Sequence, residues 1–220
     1  MLSIAIDEQV KVKCPRLVLH TLQCKVSYSP EDVLLWTHME KTLQEIRKGI
    51  KIEDISKIPA IHEARQAYKA LGKDPSRYRL SSEALLRRIL QGKSLYKVNN
   101  IIDILNLISV RSGISIGGYD MGKIQGTVML SEGNEKENYQ AIGRGPMNIA
   151  GLPVLKDALG PFGNPTSDSE RTSVTEKTRK FLMVFFNFGG SEKVGEWLFE
   201  SKNLLVQYAR GNDFAIADFR

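Results

Sequence analysis

Apolar positions recur along this chain with two periods, and the switches between them divide it into strands and helices. Residues 3–10 alternate apolar and polar, and residues 17–28 are rich in β-branched and apolar side chains. Both segments read as strands, separated at Pro15. Ser29-Pro30-Glu31-Asp32 predicts a helix start, with Ser at the cap, Pro in the first position and acids in the first turn. Leu35, Met39, Leu43, Ile46 and Ile50 follow at helical spacing and give that helix one buried stripe. A second helix is expected over 59–71, stopping at Gly72. A third is capped by Ser81 or Ser82, turns Leu85, Leu86, Ile89 and Leu90 inward and ends at Gly92. Val98, Ile101, Ile102, Leu105 and Ile108 mark a fourth, which stops before Gly113.

Short strands are expected next, over 115–119, 126–130 and 140–142. Residues 143–168 then hold Gly143, Gly145, Gly151, Gly160 and Gly163 with Pro146, Pro153, Pro161 and Pro165. Apart from one short strand over 152–155, this stretch reads as a structured loop, and long loops in small domains tend to carry function. Residues 181–188 read as a fully buried strand. Residues 191–210 read as a closing helix with Val194, Trp197, Leu198, Leu205 and Tyr208 inward. The pattern predicts a mixed α/β (α+β) fold, a sheet core with packed helices, in a single domain over 1–220.

Composition excludes several classes. No apolar run approaches the length of a membrane span, and residues 1–10 already carry Asp7 and Glu8, unlike a signal peptide. Cys14 and Cys24 form no metal-ligand spacing with His20, His38 and His62, and a cytoplasmic protein with reduced thiols and no metal or cofactor is expected. There is no phosphate-binding loop, dinucleotide-binding glycine pattern or paired-cysteine zinc site. The net charge of +6 is unevenly spread: residues 40–97 contain 14 Lys and Arg against 7 Asp and Glu, and the rest of the chain is nearly neutral. Arg87, Arg88, Lys93 and Lys97 lie in the sharpest part of this excess, with Tyr68, Tyr78 and Tyr96 interspersed. That arrangement suits RNA phosphates and bases, or simply a solvated basic face.

Two polar constellations carry candidate chemistry. Asn99, Asp103 and Asn106, four and three residues apart, share one helix face. They suit orientation of a polar ligand, or equally the capping of a neighbouring loop. The second is 160–174, GPFGNPTSDSERTSV. Its glycines let backbone N–H groups approach a ligand, and Asn164, Thr166, Ser167, Asp168, Arg171 and Thr172 supply donors and acceptors.

The order of Arg87-Arg88, then LYKVNNIIDILNLISVRSGISIGGYDMGKIQG (95–126), then the 160–174 segment resembles the B3/B4 domain, the tRNA-editing module of phenylalanyl-tRNA synthetase β subunits. That family has a helix of the form I-N-x-V-V-D-x-x-N, a segment ending F-D-x-x-K-I and a later G-x-x-G-x-x-x-S loop. Here Asn99, Asp103 and Asn106 match the helix, Tyr119, Asp120 and Lys123 the second segment, and Gly160, Gly163 and Ser167 the loop. The resemblance implies a B3/B4-like core over 56–200, with residues 1–55 as an N-terminal extension. It also implies a ligand pocket between two halves of the fold. Two departures stand out. The synthetase segment reads L-H-A-F-D where this chain has Ile116-Gly117-Gly118-Tyr119-Asp120, and the glutamate of G-G-E-H-S is replaced by Pro165.

The resemblance implies a free-standing module that binds tRNA, or the aminoacyl end of an aminoacyl-tRNA, and deacylates mischarged tRNA in trans. Thr166, Ser167 and Asp168 would act on the ester. Asn99, Asp103, Asn106, Gly163, Asn164 and Arg171 would hold the aminoacyl end, and Arg87, Arg88, Lys93 and Lys97 the RNA backbone. The editing pocket of the synthetases recognises a misattached tyrosine. Without the matching His and Glu, that specificity does not carry over, because a hydroxyl-reading site needs polar partners. The alternatives are a small-molecule, amino-acid-like binding module on the same fold, and an enzyme acting on a free amino-acid derivative.

Overall fold

In the computed structural model, which describes residues 2–220, the chain opens with strand β1 (Ile4–Ile6) and turns at once into helix α1 (Glu8–Lys13). The alternation of residues 3–10 therefore runs as strand for three residues only. Asp7 ends it by capping: its side chain accepts the Gln9 N–H at 2.9 Å, with Glu8 in the first turn and Lys11 and Lys13 in the last. Strand β2 (Val18–Lys25) follows, then helix α2 (Val33–Gly49). The cap of α2 is Asp32, whose carboxylate accepts the Leu35 N–H at 2.9 Å. Ser29 instead donates its hydroxyl to Glu31 O. Helix α3 (Pro59–Ala70) has its proline in the first turn, where no N–H is missed. Neither Ser81 nor Ser82 caps helix α4 (Ser81–Leu90). The Ser81 N–H donates to Pro165 O at 2.8 Å, which docks the start of α4 onto the Gly/Pro-rich loop. Helix α5 (Asn100–Ser112) ends at Gly113 with φ +73°, and a Cβ there would stand 2.8 Å from Ile58.

The second half supplies β3 (Ile116–Asp120), β4 (Val128–Glu132), β5 (Gln140–Ala141), β6 (Gly145–Pro146), β7 (Pro153–Asp157), β8 (Gly160–Gly163), β9 (Lys180–Asn187), α6 (Val194–Ala209) and β10 (Asn212–Phe219). One four-stranded sheet runs β1-β4-β7-β8, the other β10-β2-β9-β3, and β5 and β6 form a small ribbon. The Gly/Pro-rich stretch thus holds more strand than its composition suggests. β7 and β8 pair antiparallel through Asp157↔Gly160, and Pro161 is tolerated because β8 is an edge strand. β10 is a strand that the pattern reading missed. It pairs with β2 from Asn212↔Lys25 to Phe219↔Leu19.

Residues 4–25 place a strand in each large sheet, with β2 between β10 and β9. β9 is the centre: Phe181, Leu182, Met183, Val184, Phe185 and Phe186 are all buried, and burial on both faces explains why the run lacks alternation. α5 covers β3 at Gly118, where a Cβ would come within 2.6 Å of Leu105 and 3.2 Å of Ile102. One continuous hydrophobic core joins residues from β1 to α6. No helix among the described residues is long and apolar enough to cross a membrane.

Candidate functional site

Asn164 organises the loop between β8 and β9. Its side-chain oxygen accepts the N–H groups of Thr166 (2.9 Å) and Ser167 (3.1 Å), folding the chain tightly back at Pro165. Three neighbours hold the turn: Ser81 N–H donates to Pro165 O, Tyr139 O–H to Ser167 O (2.6 Å), and Ser169 N–H to Phe162 O (2.9 Å). Asp168 is thereby aimed at the free edge of β3. One carboxylate oxygen accepts the Tyr119 hydroxyl at 2.7 Å and the other the Gly118 N–H at 3.2 Å. The residue as a whole keeps some contact with solvent, but its carboxylate is enclosed by protein. Burial pushes the acid up to about 7, against the pull of the hydrogen bonds from Tyr119, Gly118 and the Asn164 backbone.

Three tyrosines converge on this turn from α3, β3 and the segment before β5. Tyr68 hydrogen-bonds Thr166 Oγ1 at 3.0 Å, Tyr119 reaches Asp168, and Tyr139 reaches Ser167 O. Burial raises all three phenols above their usual range, so they are neutral hydrogen-bonding groups. In the 160–174 loop Asn164 Nδ2, Arg171 Nε and Thr172 Oγ1 are buried without a hydrogen bond to the described residues, and the Ser167 hydroxyl is unpaired as well. Asn164 Nδ2 is buried and has no partner in full hydrogen-bond geometry; the Tyr139 phenol oxygen lies beside it and takes at most a weak contact from it. Its carbonyl oxygen is already taken by two N–H donors, which fixes the amide so that the free end is a donor. The Ser167 hydroxyl bonds to none of the described residues and is half-buried, whereas Thr166 is committed to Tyr68.

Two glycines make the slot that Tyr119 fills. A Cβ at Gly117 would stand 1.9 Å from the Tyr119 hydroxyl oxygen, and one at Gly163 would stand 2.1 Å from it. Phe162 closes the slot edge-on, with ring centroids 5.0 Å apart. A cleft of about 290 Å³ opens outside the loop, lined by Asn138, Gln140, Leu159, Pro161, Ser169, Glu170 and Arg171. A larger one, about 430 Å³, lies away from this turn around Cys14, Arg16 and Arg220. It contains none of the residues above, so size does not locate the chemistry.

The other expected site residues are occupied structurally. Asn99 caps α5, accepting the N–H groups of Ile101 (3.1 Å) and Ile102 (2.9 Å). Asp103 accepts the buried Trp36 Nε1–H (2.8 Å) and the N–H of the exposed Val98 (3.0 Å), and burial raises its acid. Asn106 is half-buried and makes no side-chain hydrogen bond to the described residues. These three do not join the Asp168 turn. Arg171 spends its four terminal N–H donors on Asp157 (2.8 and 3.2 Å), Lys123 O (3.3 Å) and Gly160 O (3.0 Å), and so straps the β7–β8 hairpin. Arg87 turns back to the buried Glu83 (3.0 Å), which also pairs with Arg65 (2.9 Å). Arg88 donates to Ser94 O (2.6 Å), and Lys97 pairs with Glu31 (2.9 Å). Lys93 is exposed, and none of the four hydrogen-bonds to the 160–174 loop. Asn99→Ala is therefore expected to cost about 1–2 kcal/mol in urea unfolding, as loss of a helix cap does. Undiminished stability would return Asn99 to ligand duty.

Tyr68 and Tyr139 escaped the sequence reading as site residues, because only the tertiary fold brings α3 and the segment before β5 to the turn. A model described as the B3/4 domain matches residues 63–201, more than half of the chain and all of the turn and its partners. The chain belongs to the B3/4 domain family. The matched region begins on α3 and ends on α6, so in this B3/4 domain β1, β2 and α2 precede it and β10 follows it. Among solved structures, an N-terminal fragment of the phenylalanyl-tRNA synthetase β subunit from Pyrococcus horikoshii is similar over 99% of this chain, at 15% identity and a TM-score of 0.49. The chain spans 50% of that fragment. No curated protein matches the sequence.

Proposed function

We propose that this B3/4 domain binds the aminoacyl end of a tRNA at the 160–174 loop and cleaves a mischarged ester in trans. The observation that carries the reading is the pairing of a buried, unspent donor, Asn164 Nδ2, with a neighbouring carboxylate poised near neutrality, Asp168. In this scheme the ester carbonyl enters beside Asn164, and a water molecule attacks it while Asp168 takes the water's proton. The tetrahedral oxyanion accepts the Asn164 amide N–H. Collapse breaks the bond to the ribose oxygen, which leaves with the proton from Asp168, releasing amino acid and tRNA. The Ser167 hydroxyl, unpaired and half-buried, serves as a further contact for substrate or water. Thr166 positions the turn through Tyr68.

A second reading, a small amino-acid-like ligand without tRNA, draws on the internal engagement of Arg87, Arg88 and Lys97. Incubation with a panel of mischarged tRNAs separates the two. The deacylase reading expects faster ester loss than in buffer for at least one pair, together with salt-sensitive tRNA binding. No acceleration and no binding with any pair would overturn the deacylase reading in favour of a small ligand, bound or turned over.

A further inference from the structure

The exposed strap 91–98 links the end of α4 to the start of α5 and lies against α2. Arg47 donates to Lys93 O, Ser94 Oγ to Glu40, and Lys97 to Glu31. On it Tyr96 is 59% exposed, although the Arg88 guanidinium sits 3.8 Å over its ring and donates to its hydroxyl at 2.9 Å. One ring face is thus backed by a cation and the other is open. Lys97 stands 5.3 Å over the Trp36 ring, and Lys93 beside it makes no ion pair among the described residues. A solvent-facing aromatic ring backed by a cation is what stacking on a nucleobase requires, and a polyanion complements the charge.

Position strengthens this. The start of α4 is docked on Pro165, so the helix leads from the Asp168 turn to the strap, roughly 15 Å for its ten residues. Lys73 and Arg77 flank the Tyr78 ring near the first end, and Arg88 and Lys93 lie at the second. We propose that Tyr96, backed by Arg88, is a stacking platform for a base of single-stranded RNA, with Lys93 taking an adjacent phosphate, a few nucleotides from an end held at the Asp168 turn. This rests on the tRNA reading above and adds the surface that grips the strand.

The test measures binding of the full chain to a fluorescent tRNA transcript by anisotropy, from 50 to 200 mM KCl. Tyr96→Ala is expected to weaken binding about 10-fold while Tyr96→Phe, which keeps the ring, binds like the parent. Lys93→Ala is expected to lower the slope of log K against log salt by about one unit. Both side chains are exposed, so neither change threatens the fold. If the parent binds with a salt slope but Tyr96→Ala and Lys93→Ala bind equally well, the platform is wrong and the function stands. If the parent binds no tRNA at all, both fall. Binding to phosphatidylserine vesicles in place of tRNA would assign the cations and the exposed Val33 and Leu34 to a lipid surface, and would overturn the proposal.

Discussion

Asp168→Asn is expected to lower deacylation of a mischarged tRNA by about 10²–10⁴-fold, the usual contribution of a positioned general base. The substitution preserves size and leaves an acceptor for the Tyr119 hydroxyl, but it removes the only group at the turn that can take a proton from water near neutral pH. The Ser167→Ala change should cost far less, because Ser167 does not hold the proton. Full activity in Asp168→Asn would remove Asp168 from the chemistry while leaving the fold untouched.

The same proton links activity to stability, in opposite directions. Burial raises the folded acid to about 7, whereas an unfolded aspartate titrates near 4. The folded state therefore holds this proton more tightly than the unfolded chain. The associated stability is complete below about pH 4 and is lost as pH rises through about 7. The full shift corresponds to about 4 kcal/mol, and partial solvent contact reduces the expected loss to about 2 kcal/mol. The deacylation rate should rise over the same interval as the carboxylate ionises. Chemical denaturation and rate profiles from pH 5 to 8 check both limbs, and Asp168→Asn should flatten each. A parent protein whose stability does not decline over that interval would mean that the carboxylate is better solvated than its enclosure implies.

Helices α2 to α6 are legible because each carries its own signal: apolar spacing, a proline at the first turn of α3, and glycines after α3, α4 and α5; α1 falls in a segment that reads as strand. The caps were less legible. Asp7 and Asp32 hold helices that the pattern began elsewhere or read as strand, because competing side chains within three residues offer similar bonds and only the tertiary fold selects one. The 160–174 loop announced itself by composition, and the fold does assemble a turn there. Its internal logic was not visible. Arg171 looks like a free cation in the sequence, but the β7–β8 hairpin delivers Asp157 to it. Asn99 and Asp103 look like one polar face, yet capping and the distant Trp36 consume them. A one-dimensional reading identifies donors and acceptors but not which are already spent. The β10 strand was missed for a related reason: its period-2 signal is short, and its pairing partner lies nearly two hundred residues upstream.

Gly117→Ala and Gly163→Ala should each destabilise the fold by about 2–3 kcal/mol, at the upper end for forcing extra atoms into a packed site. The new Cβ would fall 1.9 Å or 2.1 Å from the Tyr119 hydroxyl oxygen, and the tyrosine cannot yield. Its hydroxyl is held by Asp168, its ring by Phe162, and its backbone lies in β3 paired with Leu182. Tyr119→Leu alone should also destabilise, by opening a cavity and stripping Asp168 of a donor. In the Gly117→Ala/Tyr119→Leu pair the clash has nothing to meet, so the double variant should be at least 1 kcal/mol more stable than the sum of the single losses predicts. Additive losses in urea unfolding would show that the glycine matters for its backbone and not for the room it leaves. Coupling, in contrast, would explain the departure at this position. A side chain at 117 and this placement of Tyr119 exclude each other. At this position the chain has a glycine and, two residues on, a tyrosine whose hydroxyl fills the space over Gly117 and ends on Asp168. The polar groups gathered there are the carboxyl of Asp168, set by Tyr119, and the neighbouring Asn164 amide.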